Sequence, residues 1–296
     1  MNNETNTPIA PSELIINADG GIFHLHLRPG QLAGKVMLVG DPGRVPVVAA
    51  HFDTTECDVS NREFRTVTGT YKGKRISVVS TGIGCDNIDI VLNELDALAN
   101  VDFATRTVRP TLRSLEIVRV GTCGGLQPST PEGTFIASAV SIGFDGLLNF
   151  YAGRDNVCDL PLEEAFCAHM QWHGNQCITH PYVVHADPEL LERVAGADMT
   201  RGITIACGGF YGPQGRKVRL PLADPHANEK IEAFEYGGQR ITNFEMESSA
   251  VAGLSRLMGH KALTCCMVIA NRVAGRADTG YKSTIDHLIT TVLDRI

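Results

Sequence analysis

The sequence has no excess of basic charge, no apolar run of membrane length and no C-x-x-C pair, and each absence removes a class of protein. Lysine and arginine number 26 against 33 aspartates and glutamates, a formal charge of −7. Such a chain gains no non-specific attraction to nucleic acid or anionic lipid, so neither is expected as a partner. An anionic substrate would have to be held by a few local arginines against the overall field. No segment approaches the ~20 apolar residues that a membrane helix needs, and the polar start carries no basic signal-like region. The chain is expected to be cytoplasmic, with residues 1–20 a loose leader before one domain over 21–296. The cysteines number 9 and sit mostly among apolar or small residues, as in Ala206-Cys207-Gly208 and Thr264-Cys265-Cys266-Met267. That pattern suits reduced, buried thiols and not a disulfide framework.

Several chemical signatures are missing as well. There is no G-x-x-x-x-G-K-[ST] loop, no G-x-G-x-x-G fingerprint, no G-x-S-x-G elbow and no H-E-x-x-H. Cys123 stands among glycines without an obvious basic partner, so it is not read as a nucleophile. F-H-L-H-L (23–27) puts His24 and His26 on one face of an expected short strand. No third ligand with metal spacing lies near them, and a resident metal is not expected.

What is present is an ordinary globular composition, 43% hydrophobic and 20% charged over 296 residues, enough for a sizeable core. K-V-M-L-V (35–39), R-I-S-V-V-S (75–80), L-E-I-V-R-V (115–120), T-F-I-A-S-A-V-S-I (134–142), G-I-T-I-A-C-G-G-F (202–210) and K-A-L-T-C-C-M-V-I-A (261–270) read as strands, several ending in glycines. Helical spacing covers about 45–52, 86–99, the stretch after Glu247 and 281–295. Alternating strands and helices predict an α/β fold, a mostly parallel twisted sheet with helices on both sides. Residues 101–114, basic and Thr-rich, read as a surface insertion. Ligands of such sheets gather at the strand tips.

Three stretches could carry chemistry there. G-D-P-G-R (40–44) and G-T-C-G-G (121–125), the latter just after Arg119, are glycine turns suited to oxyanions, because N–H groups and arginine forks match phosphate. The alternative for each is a plain turn after a strand. G-G-F-Y-G-P-Q-G-R-K-V (208–218) sets an aromatic ring, an amide and a guanidinium in one stiffened loop, as reading the edge of a flat heterocycle requires. It could equally be an ordinary polar loop. T-N-F-E-M-E-S-S-A-V-A-G-L (242–254) puts two glutamates in what reads as the first turn of a buried helix. They could serve the helix N-terminus, or Glu247 could accept hydrogen bonds from a sugar diol.

Taken in order, F-H-L, G-D-P-G-R-V, S-N-R-E-F, S-T-G-I-G, R-V-G-T-C-G-G, F-Y-G-P-Q-G-R, N-F-E-M-E-S and I-A-N-R cover about residues 22–273. The chain resembles the nucleoside phosphorylase-I family, and F-Y-x-x-Q-x-R its uridine branch. That resemblance implies a single-domain, partly barrel-like α/β fold. It also implies pentosyl transfer, uridine plus phosphate giving uracil and ribose 1-phosphate, in pyrimidine nucleoside salvage. Gly40, Arg44, Arg119 and Thr122 would bind phosphate, with Arg62 reaching the phosphate of a neighbouring subunit. Met246 and Glu247 would hold the ribose, with His24 crossing the interface to the 5′-hydroxyl. Phe210, Gln214 and Arg216 would bind uracil, and Arg272 would order the loop above it. Arg44, Arg119, Gln214, Arg216 and Glu247 would carry catalysis. No organic cofactor is implied; inorganic phosphate is the co-substrate. A homodimer would be the smallest active unit, and relatives suggest a hexamer.

Some positions depart from the family pattern. Purine-handling members carry an aspartate where this chain has Asn271, which argues against a purine leaving group. Glu63 lies where some relatives bind a monovalent cation, but Asn87 replaces their serine and puts that cation in doubt. Alternatives are a nucleosidase that uses water, a purine-accepting phosphorylase, and a non-catalytic nucleoside-binding protein.

Overall fold

The computed structural model describes residues 7–172, 178–271, 274–277, 280 and 282–296. β1 (Lys35–Val39) is buried from Val36 on and leads into α1 (Arg44–Ala49). β2 (Thr54–Asn61), β3 (Phe64–Tyr71) and β4 (Lys74–Ser80) then form an antiparallel meander. Only β4 was expected. β2 is a largely exposed edge strand whose half-buried positions, Cys57, Val59 and Asn61, make too short an apolar alternation to reveal it, and β3 buries threonines, whose branched side chains suit a strand. α2 (Cys85–Asn100) follows, then the hairpin of β5 (Val101–Asp102) and β6 (Thr107–Val108).

β7 (Glu116–Gly125) and β8 (Phe135–Gly143) come next, followed by α3 (Leu160–Met170), β9 (Tyr182–His185), α4 (Pro188–Ala195) and β10 (Thr200–Ala206). The chain ends with α5 (Ala227–Ala233), β11 (Glu235–Tyr236), β12 (Gln239–Glu245), α6 (Ser248–Leu257), β13 (Lys261–Asn271), β14 (Arg276–Ala277) and α7 (Lys282–Arg295). Asp159 and Asp187 start α3 and α4 by accepting the N–H groups of Leu162 and Leu190, as aspartate does at helix starts.

The sheet is mixed. β13, β7, β1 and β4 lie side by side in parallel, as do β8, β10 and β12. β13 meets β8 antiparallel, and β12 returns to β7 through Asn243↔Gly125 and Phe244↔Gly124. That last pairing closes β7, β13, β8, β10 and β12 into a ring, the barrel-like part of the expected fold. β1, β4, β3 and β2 continue outward from it as an open sheet. α2 and α6 cover one side of the sheet, while α1, α4 and α7 cover the other. α3 and α5 pack against the ring. Among the described residues no helix is long and apolar enough to cross a membrane.

Two expectations about surface segments change. Residues 23–25 form a turn and not a strand. The supposed loose leader is anchored from Ile9 on. The Arg106 guanidinium donates to the carbonyls of Ile9 (2.8 Å), Ala10 (3.2 Å) and Leu14, and the Ile9 N–H returns a bond to the Arg106 carbonyl. The 101–114 insertion therefore has a structural use: its hairpin clamps the N-terminal segment.

Candidate active site

β1 and β7 are parallel neighbours in register to Val39↔Val120. Their ends consequently bring the 40–44 loop beside Gly121 and Thr122, although 76 residues of chain (45–120) separate the two motifs. A cavity of about 690 Å³ opens there. Gly40, Arg44, Arg119 and Thr122 line one part of it, Met246 and Glu247 another, and Phe210, Gln214 and Arg216 a third. The Arg44 guanidinium reaches back to the Val120 carbonyl at 3.4 Å, which ties the first loop to the second strand. His24 and Arg62 do not line this cavity, and Arg272 lies outside the described residues.

G-T-C-G-G is not a turn. β7 runs on through it to Gly125, so these residues belong to the sheet and do not form an N–H nest. The glycine at 121 has a different purpose. A Cβ there would stand 2.3 Å from an Arg119 guanidinium nitrogen, so the residue must be small for Arg119 to fold over the strand. Opposite, the ladder from β13 slips between Val268 and Ala270, and Ile269 and Ala270 face the cavity. Such irregularities recur beside active sites, where they re-aim side chains.

The two glutamates of N-F-E-M-E-S divide the two readings between them. Neither lies in the first turn of α6, which begins at Ser248. Glu245 serves the helix: its buried carboxylate accepts the N–H groups of Glu247 (2.9 Å) and Ser248 (3.0 Å) and the Ser248 hydroxyl (2.7 Å). Glu247 turns toward the cavity and accepts from the Gly84 N–H at 2.7 Å and from the Arg119 guanidinium. A carboxylate has room for about four donors, so this one can still receive a diol. The Cys85 thiol donates to the Met246 carbonyl at 3.1 Å and steadies the intervening residue. Gly84, at φ 99° ahead of α2, is a contributor that the sequence did not single out. The glycine pair in S-T-G-I-G was the available signal for it.

Arg119 is almost wholly buried between Glu247 and Glu245, the latter at 3.3 Å, with the Cys266 sulfur at 3.5 Å. Burial opposes its charge, but the facing Glu247, Cys266 and Glu245 outweigh that effect and hold its pKa above the ordinary value. Burial pushes the Glu245 carboxyl up, against the pull of Arg119. Burial likewise raises the Cys123 thiol well above its usual range, which suits a packing residue and not a nucleophile.

The third wall is held together by its own side chains. The Arg216 guanidinium lies 3.7 Å from the Phe210 ring centroid and donates to the Phe210 carbonyl (2.6 Å) and to Gln214 Oε1 (2.5 Å). Arginine can only donate, so this contact sets which end of the Gln214 amide faces it. Gln214 is buried while half of Phe210 is exposed, an amide edge behind an open ring. Asn271 plays no part in this wall. Its amide donates to the carbonyls of Gln127 (3.0 Å) and Thr130 (2.8 Å) and accepts the Ala274 N–H (2.9 Å).

Glu63 and Asn87 line the cavity near Gly82, where a Cβ would meet the Asn87 amide at 2.4 Å. Among the described residues no cluster of three or more His, Cys, Asp or Glu could hold a metal ion.

A family model described as the phosphorylase superfamily matches residues 35–291. A uridine phosphorylase of Thermococcus kodakarensis is 30% identical over 255 residues, 86% of this chain and 79% of that protein. A DeoD-type purine nucleoside phosphorylase of Bacillus subtilis is 27% identical over 274 residues, 92% of this chain and 95% of that one. A Trypanosoma brucei nucleoside phosphorylase whose crystal structure is described as showing uridine phosphorylase activity has a TM-score of 0.86 and 29% identity. It covers 95% of this chain and 98% of its own.

Proposed function

The chain belongs to the phosphorylase superfamily, and from that premise we propose that it converts uridine and phosphate to uracil and ribose 1-phosphate. It is a pentosyltransferase of nucleoside phosphorolysis with inorganic phosphate as co-substrate. The finer choice of uridine rests on the base end of the cavity. Phe210, Gln214 and Arg216 offer a ring face, an amide and a guanidinium there. The carboxylates that line the cavity come instead from the 40–44 loop, the β2–β3 turn and the β12–α6 junction. A purine leaves best when an acid protonates it, whereas a uracil anion spreads its charge over two carbonyl oxygens that donors can stabilise.

In this reading phosphate lies by Gly40, Arg44, Arg119 and Thr122 and attacks C1′ of the ribose. The C1′–N1 bond breaks toward uracil, whose negative charge Gln214 and Arg216 receive. Glu247 and Met246 hold the sugar between these groups, so most of the acceleration comes from alignment and fixed charge.

His24 and Arg62 support a dimer. They sit together outside the cavity: the Asn61 amide donates to the His24 carbonyl at 2.8 Å, and the Arg62 guanidinium lies 5.8 Å from the Phe23 ring centroid. Arg62 holds a left-handed φ of 55° at the β2–β3 turn. In this reading a patch made of these two groups completes the cavity of a second copy.

A panel of nucleosides assayed with and without phosphate tests the reading. Uridine cleavage that needs phosphate is expected. Cleavage that persists without phosphate would make the protein a hydrolase, and equal turnover of inosine would remove the pyrimidine assignment.

A further inference from the structure

Glu94 lies in the middle of α2, nearly buried, and the reaction described above makes no use of it. Its carboxylate gathers one short stretch of chain. It accepts the His24 N–H at 2.9 and 3.1 Å, the Leu25 N–H at 2.8 Å and His24 Nδ1 at 2.7 Å. A carboxylate receiving this many donors is an acceptor throughout, so the proton between it and the ring belongs to Nδ1. Two aromatic edges hold the ring's plane: Phe23 at 4.7 Å and 75°, and Phe64 at 6.2 Å and 79°. Nε2, on the far side of the ring, has no hydrogen-bond partner among the described residues. With Nδ1 carrying the proton, a neutral imidazole presents Nε2 as an acceptor.

We propose that Glu94 is the positioning residue that fixes the tautomer and direction of His24, so that Nε2 accepts the 5′-hydroxyl proton of a nucleoside in the partner subunit's cavity. The proposal rests on the reading of His24 given under the proposed function. It adds that the hydroxyl must be a donor, and that recognition of the 5′ end depends on a side chain that never touches the substrate.

The test compares kcat/KM for uridine, 5′-deoxyuridine and 5′-deoxy-5′-fluorouridine; fluorine nearly matches the hydroxyl in size but cannot donate. In the unaltered enzyme uridine should exceed both analogues by roughly tenfold, the worth of one hydrogen bond. In Glu94→Gln, whose amide can donate to Nδ1 and reverse the tautomer, Nε2–H can donate to either the hydroxyl or the fluorine, so the ratio of uridine to the fluoro analogue should fall toward one. His24→Ala should give the same ratio, and the double variant no further change. A ratio that collapses in His24→Ala but survives in Glu94→Gln, with both substrates slowed alike, would overturn the role of Glu94 and leave the His24 reading intact. A ratio unmoved by His24→Ala would overturn both. If Glu94→Gln does not fold, the tautomer can be read in the unaltered protein from histidine ¹⁵N shifts, with His24→Ala providing the assignment. A proton on Nδ1 supports the proposal, and a neutral ring protonated at Nε2 ends it.

Discussion

The guanidinium of Arg119 rests on the carboxylate of Glu247, and both side chains are almost wholly withdrawn from solvent. The pair joins a residue assigned to phosphate with a residue assigned to ribose, so the two halves of the cavity share one charge contact. Glu245 completes the arrangement from the helix side.

Removing the cation should therefore damage more than binding. Arg119→Ala leaves two buried carboxylates facing each other without compensation. Breaking such a contact costs about 3–5 kcal/mol, visible in urea unfolding. Arg119→Lys should recover part of that stability but little activity, because an ammonium does not reproduce the planar fork. A loss under about 1 kcal/mol in the alanine variant would mean that the pair counts for little in the folded protein.

Gln214→Ala should act on choice of base. The amide is buried and clamped by Arg216, so its loss leaves both the guanidinium and the bound base with unmet hydrogen bonds. Preference for uridine over inosine should drop by about 10²-fold or more. An unchanged preference would place base reading elsewhere.

Arg44→Ala should separate the two substrates. Its guanidinium follows β1 and donates to the Val120 carbonyl of β7, beside Gly121 and Thr122. Loss of one charged hydrogen bond should raise the KM for phosphate by roughly 10- to 100-fold and the KM for uridine far less. Equal rises would show that the anion lies somewhere else.

Stability should depend on acid through Asp198, which meets Arg295 in a two-pronged contact of 2.7 and 2.9 Å and ties α7 to the turn after α4. The hydrogen bonds from Arg295, partly offset by burial, hold the Asp198 carboxyl below its ordinary 3.8. A carboxyl depressed in the folded state binds its proton more readily when unfolded. Its stabilisation is thus present above the unfolded value and disappears as pH falls through the lower folded value. Both groups are partly exposed, so Asp198→Asn should cost only about 0.2–1 kcal/mol at pH 7. Melting curves of variant and parent should converge well below pH 3.8. A gap that stays constant with pH would point to packing and not charge.

Much of this molecule is written in local sequence. Apolar runs mark β1, β4, β8, β10 and β13, all but the last closed by a nearby glycine, because a buried strand needs apolar length wherever it sits. The order of the motifs is enough to bring Gly40, Arg44, Arg119, Thr122, Phe210, Gln214, Arg216, Met246 and Glu247 under suspicion, and the cavity contains all nine. Other features are invisible along the chain. β2 offers only Cys57 and Val59 as apolar residues, G-T-C-G-G looks like a turn but is held in the sheet by its neighbours, and the ring closes only when Asn243 and Phe244 meet Gly125 and Gly124. Local sequence puts two glutamates around Met246 at one helix start, and only the order of the motifs singles out Glu247. Tertiary contact separates them: helix N–H groups claim Glu245, while Gly84 and Arg119 draw Glu247 to the cavity. Residue types and local pattern can nominate a chemistry, but the direction of a side chain depends on partners from distant parts of the chain, and those meet only in the folded protein.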